Sequence, residues 1–236
     1  MGETLLTFGR VSTFKYFYRG AKRSYEFLQT ISSNIPPFPW YVVKCLLILR
    51  LRNFYSNITG RDFDAKEVLG RAAEKYGIKF DEQQLTEFVW RWYEPLSKVG
   101  SVEPGLAETL KKLKDAGLKL GILSNTFINA SALERHLGQY VDVSLFDMRG
   151  YSYQYKYKKP NPLIFVDAAE QIGVTPNNIA YVGDRINKDI IPTMKLDMTA
   201  ILKKAYTNEE EKPPKGAFVI NEIKELPELI EKINRG

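Results

Sequence analysis

Residues 104–126 read Pro-Gly-Leu-Ala-Glu-Thr-Leu-Lys-Lys-Leu-Lys-Asp-Ala-Gly-Leu-Lys-Leu-Gly-Ile-Leu-Ser-Asn-Thr. Leu106 to Ala116 reads as a helix, and Gly117 stands where a glycine C-cap would stop it. The apolar run Leu118–Leu123 then reads as a strand. The same alternation continues. Helices are expected near 129–137, 162–172 and 188–194, with strands near 141–146, 178–182 and 198–203. A last strand, Ala217 to Ile220, precedes a helix from Leu226 to Ile233. Strands and helices in strict alternation predict a parallel sheet covered by helices on both faces.

The pattern before residue 104 is different. Thr4 to Phe8 reads as one short strand. From Thr13 to Ser32, Phe17, Ala21, Tyr25 and Leu28 share one helical face, and Lys15, Arg19 and Arg23 share another. Pro36, Pro37 and Pro39 end that helix. Three more helices are expected, at about Trp40–Tyr55, Asp64–Tyr76 and Glu82–Tyr93. The fold class is therefore α/β, a doubly wound parallel sheet with an all-α insertion. Residues 1–14 plus 99–236 form the core, and residues 15–98 the insertion.

Composition bounds the function. Of 236 residues, 44% are apolar and 26% charged, ordinary for a globular chain. No apolar run approaches the ~18 residues of a membrane span. A single cysteine, Cys45, excludes an internal disulfide and fits a reducing, cytoplasmic setting. One histidine and one cysteine are too few for a His/Cys zinc site. The net charge of +6 is concentrated: Arg10 to Arg61 holds nine basic residues and one acid, Glu26. This stretch is either a solvated helical face or a surface for phosphates, nucleic acid or anionic lipid.

Three segments carry candidate chemistry. Ser124 and Asn125 lie at the carboxyl end of a strand, where such sheets bind ligands. In Lys158-Lys159-Pro160-Asn161-Pro162 the prolines fix a helix start, and Lys159 can project a charge at a phosphate. Val182-Gly183-Asp184 ends another strand, with Asp189 five positions further on. Two carboxylates across a strand-to-helix turn are a reasonable hard-oxygen set for Mg²⁺.

Together these segments resemble the haloacid dehalogenase superfamily of phosphohydrolases, in the subfamily with a helical cap after the first strand. The resemblance implies a Rossmann-like core. It assigns phosphate binding to Ser124, Asn125 and Lys159, catalytic roles to Lys159 and Ser124, and Mg²⁺ to Asp184 and Asp189. The family opens on an Asp-x-Asp-x-Thr segment whose first Asp is the nucleophile. The first Asp of this chain is Asp62. Aligned by position, Gly9 replaces the nucleophile, Val11 replaces the acid, and Thr13 is kept.

Three readings follow. The chain has lost aspartyl-phosphate chemistry and binds a small phosphorylated or anionic molecule. Or it is an active hydrolase with a substitute group, such as Ser12, Thr13 or a cap side chain. Or its basic cap is an adaptor for nucleic acid or an anionic surface. A homo-oligomer is compatible with each, and Trp40–Leu51 is either cap core or a dimer face.

Overall fold

The computed structural model describes residues 1–235. Four helices come first: α1 (Thr13–Ile31), α2 (Phe38–Thr59), α3 (Ala65–Glu74) and α4 (Glu82–Ser97). Each start has a local cause. Ser12 and Asp64 accept hydrogen bonds from Lys15 N and Lys66 N, and Asp81 with Gln84 forms a reciprocal capping box. At α2, Pro37 and Pro39 flank the first helical residue. Ala21, Leu28, Tyr41, Cys45, Leu69, Ala73 and Phe88 form the buried centre of this helical unit. The opposite face of α2 is open, with Trp40, Leu47, Leu51, Phe54 and Ile58 exposed. Trp40–Leu51 is thus partly core, through Tyr41 and Cys45, and partly an uncovered apolar stripe.

The remaining elements are α5 (Leu106–Asp115), β1 (Gly121–Ser124), α6 (Ala130–Leu137), β2 (Met148–Tyr151), α7 (Pro162–Ile172), β3 (Ala180–Gly183), a π-helical turn at Ile186–Ile190, α8 (Ile191–Met194), β4 (Thr199–Lys203), β5 (Phe218–Ile220) and α9 (Leu226–Arg235). All strand pairs are parallel, β1 with β2, and β3 with β4 and β5. Side chains alternate between two covered faces, as the period of two requires. Ile122, Ile201 and Ile220 pack with Leu110 and Leu113 of α5 and Leu226 of α9. Leu123 packs with Ile164 and Phe165 of α7, and Ala200 and Leu202 with Ile186 and Ile190. This is a doubly wound α/β core.

Two sequence expectations need correction. Residues 141–146 are not a strand. Val141 and Phe146 are buried, but Val143–Leu145 turn as a 3₁₀ helix, and the strand begins at Met148. Thr4–Phe8 is not a strand of the sheet either. Glu3 has a φ of 59°, and Leu5 N and Leu6 N both donate to the Met1 carbonyl, at 2.9 and 3.0 Å. The turn consumes the backbone groups a ladder would need. Thr7 then pairs antiparallel with Ser101, away from β1 and β3. Leu6 remains fully buried in the core, so its burial, not strand pairing, produced the apolar pattern.

α1 and α4 pack at van der Waals limits. A Cβ on Gly20 would lie 2.3 Å from the Trp92 carbonyl oxygen. Gly20→Ala should therefore destabilise the fold by about 1–3 kcal/mol, the usual cost of overpacking. Chemical denaturation followed by circular dichroism measures it, and an unchanged midpoint would contradict the packing.

Candidate active site at the carboxyl ends of the strands

The strands deliver the site. Ser124 is the last residue of β1, and Gly183-Asp184 ends β3. Gly183 is required there: an added Cβ would lie 2.4 Å from the Asp189 Cβ, so only glycine lets that side chain fold back over the strand end. Asn125 holds the next loop by two bonds to one residue. Its Nδ2 donates to the Lys159 carbonyl at 2.8 Å, and its Oδ1 accepts from Lys159 N at 2.9 Å.

That grip aims Lys159 inward. Its ammonium donates to Asp189 Oδ1 at 2.6 Å, to the Tyr181 hydroxyl at 3.0 Å and to the Leu123 carbonyl at 3.2 Å. Burial pulls the Lys159 ammonium toward neutrality, but Tyr181 and Asp189 outweigh it and hold its pKa above the ordinary lysine value. Burial likewise opposes ionisation of Asp189, yet the Lys159 charge and the bond from Arg185 N hold its pKa below the ordinary aspartate value. The two directions agree on a charged pair. Lys158, its neighbour, points the other way. Its Nζ donates to Ser56 Oγ and Asn57 Oδ1, at 2.7 and 3.0 Å, and pairs with Asp62 at 3.2 Å, which ties the core loop to the end of α2.

Asp184 occupies a different environment. Thr207 Oγ1 donates to its Oδ2 at 2.6 Å and Thr4 Oγ1 to its Oδ1 at 3.3 Å, while Arg185 Nε lies 3.5 Å away at the mouth. Asn208 Nδ2 fixes the Asp184 carbonyl at 2.8 Å. Sequence reasoning missed Thr4, Tyr181, Thr207 and Asn208. Each is an ordinary residue of a strand or loop, and only its approach to a motif residue gives it a role.

Asn125, Lys159 and Asp189 are linked by contacts that run from β1 through Lys159 to β3, and Ser124 and Asp184 stand at the carboxyl ends of those strands, beside the crevice such sheets form there. Gly9, Val11 and Thr13 stand differently. Gly9 has a φ of 63°, Val11 N donates to the Gly9 carbonyl, and Thr13 is exposed in the first turn of α1. The threonine of this segment that touches Asp184 is Thr4.

Asp189 is committed to Lys159, and no group of three His, Cys, Asp or Glu able to hold a metal is present among the described residues. The fit is to a single ligand, Asp184, whose hard oxygens would need phosphate oxygens to complete a coordination shell. A separate cleft of about 420 Å³ lies between core and helical unit, lined by Arg52, Asp64, Arg71 and Tyr153.

The model of haloacid dehalogenase-like hydrolases matches residues 39–192. The chain belongs to that family. It is similar to the glyceraldehyde 3-phosphate phosphatase of Methanocaldococcus jannaschii, 29% identical over 75% of this chain and 74% of that one. It is also 29% identical to the (S)-2-haloacid dehalogenase 4A of Burkholderia cepacia, over 70% of this chain and 69% of that one. Among solved structures, the 2-haloacid dehalogenase of Pseudomonas syringae pv. Tomato DC3000 matches in fold, with a TM-score of 0.60 and 20% identity over 98% of this chain and 95% of that one. The family match begins at residue 39, so it excludes residues 9, 11 and 13.

The ion pair makes a testable claim on stability. The folded pKa of Asp189 lies below its unfolded value, so its contribution is present at neutral pH and is lost as pH falls below about 4. Lys159→Met should cost about 3–5 kcal/mol by leaving a buried carboxylate unpaired. Lys159→Met with Asp189→Leu should recover much of that loss and flatten the acid limb. Urea denaturation at several pH values reads both, and an equal loss in the single and double variants would contradict the pairing.

Proposed function

We propose that the crevice binds the phosphoryl group of a small phosphorylated molecule. One observation carries this reading. A buried, charged lysine joins two parallel strands near their carboxyl ends, bonding the Leu123 carbonyl on one side and Tyr181 and Asp189 on the other. The phosphatase relative supports it. The dehalogenase relative names an alternative chemistry, but a lysine held permanently charged is better suited to a doubly charged phosphate than to a halide carbon.

Each residue then has a task. Ser124 donates its hydroxyl to a phosphate oxygen, and Lys159 neutralises the charge that collects there. Asn125 orients Lys159, and Asp189 keeps it protonated. Asp184, aligned by Thr4 and Thr207, is the residue that would hold Mg²⁺, whose chemistry would be charge neutralisation at the phosphoryl oxygens. The helical unit 15–98 acts as a cap, anchored by Lys158 to Asp62, Ser56 and Asn57.

At the positions that the family resemblance gives to nucleophile and acid, Gly9 and Val11 supply neither, so the reading is of binding rather than of turnover. Ser12 and Thr13 are exposed on α1 and are not candidates for a substitute group. Several cap charges are used internally: Arg23 pairs with Glu94 and Glu26, and Lys44 donates to the Tyr76 hydroxyl.

The 236-residue chain should bind inorganic phosphate while turning over p-nitrophenyl phosphate far below about 1 s⁻¹. Ser124→Ala should weaken phosphate binding about tenfold, the worth of one hydrogen bond to a charged group. Isothermal titration tests this, and unchanged affinity in that variant would remove the crevice from the reading.

A further inference from the structure

Two loops carry the candidate phosphate-binding side chains: residues 124–126 at the end of β1, and residues 158–159 ahead of α7. Both are held by one stretch of the helical unit, residues 56–65. Lys158 N donates to the Gly60 carbonyl, and Ala65 N to the Phe127 carbonyl, each at 2.9 Å. Asp62 lies between these two backbone contacts, with its side chain only 8% exposed. A carboxylate so buried must be met by donors. It has them from three segments. Ser56 Oγ donates to its Oδ1 and Ser152 Oγ to its Oδ2, both at 2.5 Å, and Lys158 Nζ lies 3.2 Å from Oδ1.

The two serines, both buried, show what the carboxylate does. A hydroxyl has one proton to give and lone pairs to accept with. Ser152 gives its proton to Asp62 and accepts from Thr126 N at 2.8 Å. Ser56 gives its proton to Asp62 and accepts from Lys158 Nζ at 2.7 Å. Two relays thus run in parallel to one carboxylate, one from each loop. Bonds in such chains strengthen one another, most of all when they end on a charge. Without that charge the Ser152 hydroxyl would turn to the Thr126 carbonyl, 3.2 Å away, and its grip on Thr126 N would weaken.

We infer that Asp62 is a positioning residue for the crevice. By orienting the Ser56 and Ser152 hydroxyls it holds the Ser124 loop and the Lys159 loop in fixed relation. A carboxylate would repel a phosphate, so Asp62 acts through its neighbours: Thr126 is two residues from Ser124, and Lys158 adjoins Lys159. The paired bonds between Asn125 and Lys159 then lock the loops to each other. The consequence for affinity rests on the phosphate reading; the hold on the loops does not.

Hydrogen exchange, read by NMR at the amides of Thr126 and Lys159, tests the hold, with Ile201 and Leu202 of β4 as the global reference. Asp62→Ala should speed exchange at both loop amides by about tenfold or more and leave the β4 amides unchanged. Asp62→Asn keeps the shape but offers one acceptor oxygen and no charge, so it should speed at least one of the two. It decides the question if Asp62→Ala does not fold. Unchanged rates at both loop amides would overturn the proposal. So would an equal rise in β4, which a merely structural role produces. Titration with inorganic phosphate is the second arm, and affinity should fall about tenfold in Asp62→Asn. Unchanged affinity alongside faster loop exchange would overturn the positioning role. A wild-type chain that binds no phosphate would sink the crevice reading alone, because the exchange arm still decides what Asp62 holds.

Discussion

A single ammonium group spans the two halves of the sheet. Lys159 Nζ bonds the Leu123 carbonyl on β1, the Tyr181 hydroxyl on β3, and the Asp189 carboxylate that folds back over the end of β3. β1 and β3 do not pair with each other. The crevice keeps its shape because this charge cannot leave without exposing a buried carboxylate, and breaking one partner of such a pair costs about 3–5 kcal/mol. Gly183 and Asn125 serve the same contact: one makes room for Asp189, and the other fixes the backbone of Lys159.

Much of this was legible in the sequence, for definable reasons. From residue 104 onward, burial follows period two in strands and 3.6 in helices, so the order of elements and the doubly wound class could be read. Residues 141–146 failed because isolated buried side chains, Val141 and Phe146, imitate a strand around a 3₁₀ turn. Thr4–Phe8 failed because a buried Leu6 gives an apolar pattern while Glu3 turns the chain back on itself. The site motifs were legible because strand ends converge by topology. Spacing placed the Asp189 carboxylate near the strand end, but not the Lys159 ammonium it pairs with. Thr4 was missed because its value is a long-range contact to Asp184.

The central claim is that a phosphoryl group sits among Ser124, Lys159 and Asp184. The most direct measurement is a crystal structure of the 236-residue chain soaked with tungstate, a heavy phosphate mimic located by its anomalous signal. The account predicts a peak within hydrogen-bond reach of the Ser124 hydroxyl and the Lys159 ammonium. A peak confined to the cleft between Arg52 and Arg71, with none at the strand ends, would contradict it.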